Sequence, residues 1–447
     1  MNYDLVLRRS HVAACLLTLL LTGCASYHPR PLPTAPDLTS APELTVPARQ
    51  YWLPGLPPHP ISAEGLDETT VLMLAVFNNP DLKAARLQSG IASAQLLQAG
   101  LLPDPQLSTG FATSALNYGG GLGLNEDIQA LITRGAAKAA AAASSKQVDL
   151  NILWQEWQVA ENARELFIQV RTNDELLTVL TASDYLLSNR YHRDEAAMQR
   201  GDQTSTTVSV DLTALSDEEA SLRLLQTDIN LTRHQLNELL GVQPDVHLHL
   251  IGPVAPSPIA PAQFQEALAA LPYHRADLLA LQAGYQSQEE NVRRSILAQL
   301  PSMSAGVLLE RDPVEGVNAF GPQVTLTLPV FNRNRGQIAI QRATRDALRQ
   351  TYQAQLDAAT SQADQVWNAI QILSAQLHDL DAQLPTLEKS AEAANQSVHQ
   401  GNLDAGIYVT LQSNLLTKQA EAIRVRASLD RAQSALAILL GLPFQAP

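Results

Sequence analysis

Cysteine is almost absent from this chain, with only Cys15 and Cys24 among 447 residues. Cys15 lies inside an N-terminal apolar stretch, so no disulfide framework exists and the fold must hold by packing alone. Aromatic residues are scarce at 5 % and glycine occurs only 22 times, whereas Ala, Leu and Gln abound. That profile suits long helices in shallow contact better than one thick globular core. Positive charge is also in deficit: 30 Lys and Arg stand against 44 Asp and Glu, a net charge of −14. The balance argues against nucleic acid, and against anionic headgroups as the main partner. Catalytic signatures are missing as well, with no Gly-x-Ser-x-Gly, P-loop or dinucleotide fingerprint. The run Gly119-Gly120-Gly121 precedes a weak strand pattern, not a phosphate-binding helix. The residues therefore point away from an enzyme and call for no cofactor.

The N-terminal apolar stretch, Val12 to Leu21, follows Arg8 and Arg9 and leads into Leu21-Thr22-Gly23-Cys24. It falls short of the about 20 residues a spanning helix needs, and its order is that of a secretory signal over residues 1–23. Leu-Thr-Gly before Cys24 resembles the bacterial lipobox, in which the cysteine thiol is acylated and becomes the new N-terminus. Ala25, where an Asp would retain a lipoprotein at the inner membrane, implies the outer membrane. Acyl chains at about 0.8 kcal/mol per buried methylene anchor a chain stably when several act together. Residues 24–61, crowded with proline from Pro29 to Pro60, read as a lipidated N-terminus and extended linker.

Self-comparison shows a tandem duplication. Asp81-Leu82 recurs as Asp277-Leu278, Pro105 as Pro301, Gly110 as Gly306 and Arg134-Gly135 as Arg335-Gly336. Gly201 recurs as Gly401, and Leu239-Leu240-Gly241 as Leu439-Leu440-Gly441. The repeats span 62–241 and 276–447, joined by an equatorial linker at 242–275. Each opens with a helix, about 81–100 and 277–298, that ends near Pro103 or Pro301. Alternating stretches follow: Leu107, Thr109, Phe111 in one repeat and Met303, Ala305, Val307, Leu309 in the other. A second strand is clear at Val324, Leu326, Leu328 and Val330. Its counterpart near Leu122 to Ile132 is interrupted by Asn125, Glu126 and Asp127.

Next come two very long helices, Gly135 to Gly201 and Gly336 to Gly401, each roughly 100 Å at about 1.5 Å per residue. Pro385 is expected to kink the second. Each glycine turns the chain into a return helix with a heptad seam: Leu222, Leu225, Ile229, Thr232, Leu236, Leu239, then Ala422, Val425, Leu429, Ala432, Leu436, Leu439. Four strands cannot close a barrel and an open edge is not viable in lipid, so the chain requires further copies of itself.

The segments Asn79-Pro80-Asp81-Leu82, Leu328-Pro329-Val330-Phe331-Asn332-Arg333-Asn334-Arg335-Gly336 and the two Leu-Leu-Gly ends resemble the TolC-type outer-membrane efflux family. The likeness covers roughly 62–443. It implies a mainly α fold with a membrane β-barrel portion: a homotrimeric twelve-stranded β-barrel continued inward by an α-helical barrel. It also implies a passive duct of a tripartite efflux system, fed by an inner-membrane pump through a periplasmic adaptor and surrounded by outer-membrane lipid. Phe331 to Gly336 resembles the heavy-metal (CzcC-like) branch, so heavy-metal cations stand beside drugs and other small molecules as substrates. A type I protein-secretion duct and a coiled-coil lipoprotein without a pore are the alternative readings.

By the same resemblance the turns at Gly201 and Gly401 form the periplasmic tip, or gate. The positions of the family's constriction aspartates hold Ile407 and Thr410, and the nearest acids are Asp202 and Asp404. Asp404 either rings the constriction or caps the return helix. His247 and His249, placed on one strand face, lack a third metal ligand and read as a solvated strand. Glu289-Glu290 and Asp217-Glu218-Glu219 read as solvated helix faces.

Overall fold

A computed structural model describes residues 27–40, 65–113, 118–253, 258–312, 315 and 317–442. The signal segment and the lipidation expectation at Cys24 lie outside the described residues. Residues 27–38 form a separate unit, exposed almost throughout and without helix or strand.

The body begins at Thr39 and runs through one order of elements twice. The first pass comprises α1 (Glu68–Asn78), α2 (Pro80–Gly100), β1 (Gln106–Thr113), β2 (Tyr118–Asp127), α3 (Ile128–Gln199) and α4 (Ser205–Leu239). The second comprises α5 (Pro261–His274), α6 (Ala276–Leu297), β3 (Ser302–Arg311), β4 (Asn318–Thr327), α7 (Arg335–His399) and α8 (Ala405–Leu439). The four strands make one antiparallel meander, β1-β2-β3-β4, in which β2 pairs with β3 across the repeats.

Several boundaries differ from the sequence expectation. β2 is not interrupted at Asn125-Glu126-Asp127, because Asn125 pairs with both Gln106 and Gly306. Asp127 then caps α3 by accepting the Ala130 N–H at 3.0 Å, so the long helix starts at Ile128 rather than Gly135. β4 stops at Thr327, short of Leu328 and Val330, where β3 also begins at its partner Ser302. Pro385 sits inside α7 without ending it. It forfeits one backbone bond, but Leu377, Leu380 and Leu384 pack on Ala422 and Val425 of α8 and hold the helix across it. His247 and His249 lie in an irregular segment tied by a single parallel bridge, Leu66 to Leu250, rather than on a strand.

Four helix ends share one chemistry. α3 and α7 end at Gly201 (φ 82°) and Gly401 (φ 76°), with Asp202 N–H on Ala197 O and Asn402 N–H on Ser397 O, both at 2.9 Å. α4 and α8 end at Gly241 (φ 63°) and Gly441 (φ 69°), with Val242 and Leu442 donating to Asn237 O and Ala437 O at 2.9 Å. These are left-handed caps that satisfy the last carbonyls of each helix. The second pair has a further constraint. A Cβ on Gly241 would meet Asn78 O at 2.9 Å, and one on Gly441 would meet Arg275 N at 3.0 Å. Each Leu-Leu-Gly therefore closes its repeat by laying the return helix's end against the start of that repeat's opening helices.

The junction is fastened differently in the two repeats. Asn79 accepts the Leu82 N–H at 2.9 Å and donates to Leu239 O at 3.1 Å, which explains the Asn-Pro-Asp-Leu segment. Arg275 holds the equivalent place, donating to Leu439 O at 3.3 Å while its fork grips Asp277 at 2.9 and 3.1 Å. Its guanidinium also lies 4.8 Å from the Trp154 ring centre.

The scarce aromatics gather at this level. Trp157 and Phe167 sit with Val71, Leu72, Leu74, Leu236 and Leu240 in the largest apolar core. Phe264 stacks on Trp367 at 4.6 Å in the second repeat's counterpart. Beyond the belt, the hairpins are joined by thin seams: Leu225 on Leu176 and Leu180, and Val425 on Leu380.

Candidate functional site: sheet faces, belt and hairpin tips

Cross-strand partners share a face of a sheet, so the register sorts the strands into two surfaces. One face carries Leu107, Leu122, Leu124, Val307, Leu309, Phe320, Val324 and Leu326, all exposed in the chain, with Thr109 among them and the charged Glu126 and Arg311 towards its two ends. The opposite face carries Ser108, Gly121, Gly123, Asn125, Ser304, Gly306, Gln323, Thr325 and Thr327, with Leu308 its one large apolar member. Apolar on one side and small or polar on the other is the division a strand needs between lipid and an aqueous lumen. The small face is also crowded: a Cβ on Gly306 would fall 2.5 Å from Asn125 Oδ1. β1 and β4 each leave one edge without a partner strand within the described chain. Among the described residues no helix is long and apolar enough to cross a membrane.

At the tips, Thr204 opens α4 by accepting the Thr207 N–H at 3.2 Å, and Asp404 opens α8 by accepting the Gly406 N–H at 2.7 Å. Asp404 thus sits as a helix N-cap, where its charge also suits the helix dipole. Asp202 is exposed and pairs with Arg200 at 3.2 Å. Ile407 is half exposed on the first turn of α8, and Thr410 one turn later returns its hydroxyl to Gly406 O at 2.9 Å.

The belt holds a polar network that sequence reasoning missed. Glu68 of α1 pairs with Arg164 of α3 at 2.5 Å, both side chains almost wholly buried. Arg164 donates to Ser434 Oγ of α8 at 3.2 Å, and that hydroxyl donates to Glu161 at 2.8 Å. Burial pushes the Glu161 carboxyl up to about 7, against the opposing pull of Ser434 and Arg164. Asp430, one turn before Ser434, is raised to about 6 by burial, partly offset by Arg426. No motif marks these residues. A buried helical carboxylate looks like a solvated one in sequence, and the network shows only once α1, α3 and α8 are brought together. The same holds for Glu218, half-buried and hydrogen-bonded to Ser183, whereas Glu289, with its side chain 41% exposed, fits the solvated face expected of it. Among the described residues no three His, Cys, Asp or Glu side chains converge as a metal site.

The chain thus combines a two-faced antiparallel sheet with open edges and long helical hairpins, joined through a packed belt. Residues 265–442 match the family described as outer membrane efflux protein. The chain is similar in structure to the outer-membrane channel OprN, with a TM-score of 0.70 and 14% identity over 94% of this chain and 99% of that one. It is likewise similar to the outer membrane protein VceC of Vibrio cholerae (TM-score 0.67, 19% identity, 85% of this chain and 97% of that one). The Campylobacter jejuni CmeC outer membrane channel gives a TM-score of 0.67 at 17% identity, over 91% and 95% of the two chains. No curated protein matches the chain in sequence.

Proposed function

We propose that this chain is one protomer of a homotrimeric outer-membrane duct, the passive exit channel of a tripartite efflux system. The observation that carries the reading is the sheet: one apolar face, one small and polar face, and two unpaired edges. Three such sheets joined edge to edge make a closed barrel of twelve strands, removing the edges that lipid does not tolerate. The hairpins α3–α4 and α7–α8 then line a periplasmic conduit, with Gly201, Asp202, Gly401, Asp404, Ile407 and Thr410 at its inner end as the gate. Signal cleavage before Cys24 and acylation there anchor the N-terminus in the outer membrane. A periplasmic adaptor and an inner-membrane pump supply opening and energy.

The substrates are small molecules of the drug class or heavy-metal cations. Asp404 acts chiefly as the cap of α8, the role its 2.7 Å bond to Gly406 supports. The test is twofold. Purified full-length protein should run as a heat-sensitive trimer and conduct ions in a planar bilayer; a non-conducting monomer would end the duct reading. Expression with neighbouring pump genes, in a host stripped of its own channels, should then restore growth against metals or against dyes and antibiotics, separating the substrate classes.

A further inference from the structure

Where the first repeat passes directly from β2 to α3 at Asp127–Ile128, the second inserts a loop between Thr327 and Arg335. Topology does not demand this loop, since its counterpart manages without one. Its residues are nonetheless held in place. Arg333 (φ 47°) and Asn334 (φ 54°) are the two non-glycine residues with left-handed backbone among the described residues. Asn334 is tied to the end of α6 by its side-chain bond to Ser295 O at 2.8 Å, and Gln299 donates to Arg333 O at 3.2 Å.

This fixed loop exposes a compact apolar group, with Leu328 at 64%, Val330 at 60% and Phe331 at 94% exposure. Leu328 and Val330 continue the parity of Phe320, Val324 and Leu326 on the sheet's apolar face. They lie past the sheet's helical end, where Ser302 pairs with Thr327. Immediately beyond come Arg333 and Arg335, both exposed and, among the described residues, without an ion pair. From Val317 to Arg345 this acidic chain has four arginines and no acid. Apolar side chains next to unpaired arginines at the rim of a lipid-facing surface match the chemistry of a phospholipid monolayer: acyl carbons first, then phosphate.

We propose that loop 328–335 is a lipid-binding site, with Leu328, Val330 and Phe331 in the acyl region of the inner leaflet and Arg333 and Arg335 on its phosphodiester headgroups. This rests on the duct reading above. Guanidinium forks suit phosphate oxygens, and two together favour an anionic headgroup such as phosphatidylglycerol over a zwitterionic one. The left-handed pair at Arg333–Asn334 turns the chain from the apolar segment into α7.

The experiment uses full-length trimers in phosphatidylcholine vesicles containing a minor fraction of phospholipid with brominated acyl chains. Phe331→Trp adds one emitter at the loop, read as the difference from the parent protein; Val330→Trp is a second probe should the first misfold. The added emission should be quenched, severalfold more by brominated phosphatidylglycerol than by brominated phosphatidylcholine at equal fraction. Arg333→Gln with Arg335→Gln should erase that preference and leave residual quenching. Unquenched emission from vesicles that conduct ions would overturn the lipid contact while sparing the duct. Quenching without headgroup preference would overturn the role of the arginines. Loss of conduction with quenching retained would instead count against the duct reading.

Discussion

Replacing Glu161 by Gln should make the protein more stable in mild alkali and leave it nearly unchanged in mild acid. The carboxyl is raised from 4.5 to about 7 by burial where α1, α3 and α8 meet. A raised acid binds its proton more tightly in the folded protein than in the unfolded chain. Its stabilising contribution is therefore fully present below 4.5, falls as pH rises from there, and is gone once pH has risen through about 7. At about 1.4 kcal/mol per unit, the shift corresponds to roughly 3 kcal/mol per protomer lost by pH 8.5. Glutamine mimics the protonated form and can still accept from Ser434, so the variant should escape most of that loss. Trp154 and Trp157, one to two turns before Glu161 in the same belt, report local unfolding by their fluorescence. Urea midpoints at fixed protein concentration, taken at pH 4, 5.5 and 8.5, should diverge between parent and variant as pH rises. Parallel midpoints across the three values would refute the assignment of a buried, proton-holding Glu161.

Other positions give sharper local tests. Asn79→Ala removes both the α2 cap and the bond to Leu239 O, and should cost about 1–2 kcal/mol in thermal unfolding. Gly306→Ala should abolish the heat-sensitive trimer on gels, because its Cβ would collide with Asn125. Gly321→Ala, on the same face with open space around it, should leave the trimer intact. Asp404→Asn keeps a capping side chain and removes the charge, so divalent block of single-channel current should match the parent; a clear loss of block would restore Asp404 to a constriction ring.

The repeat carried most of the fold in legible form. The return-helix seams pack as their period of three and four predicts, with Leu225, Thr232, Leu236, Val425 and Leu436 buried. The turn glycines stand at the hairpin ends because a left-handed cap demands them, a local requirement that sequence displays directly. Strand limits were harder to read. Asn125 to Asp127 looks like an interruption by propensity, and only the pairing with Gly306 on the other repeat makes it strand. The belt network was illegible for the same reason: Glu68, Glu161 and Ser434 lie far apart in sequence, and nothing local distinguishes a buried carboxyl from a solvated one. Asn79 and Arg275 show the converse. The duplication aligns them, yet one amide and one guanidinium reach the same carbonyl position by different chemistry.

In the trimeric ring proposed above, the edges that β1 and β4 leave without a partner strand within the described chain make each subunit answerable to both neighbours. Closing three sheets head to tail is all-or-none, since a ring with one faulty seam exposes backbone to lipid somewhere on its circumference. A variant spoiling only the β4 edge would therefore disable every assembly it joined. When parent and variant are made in equal amounts and mix freely, only about one ring in eight would be free of the fault. Genetic dominance, rather than simple loss of dose, is the expected behaviour of such an allele.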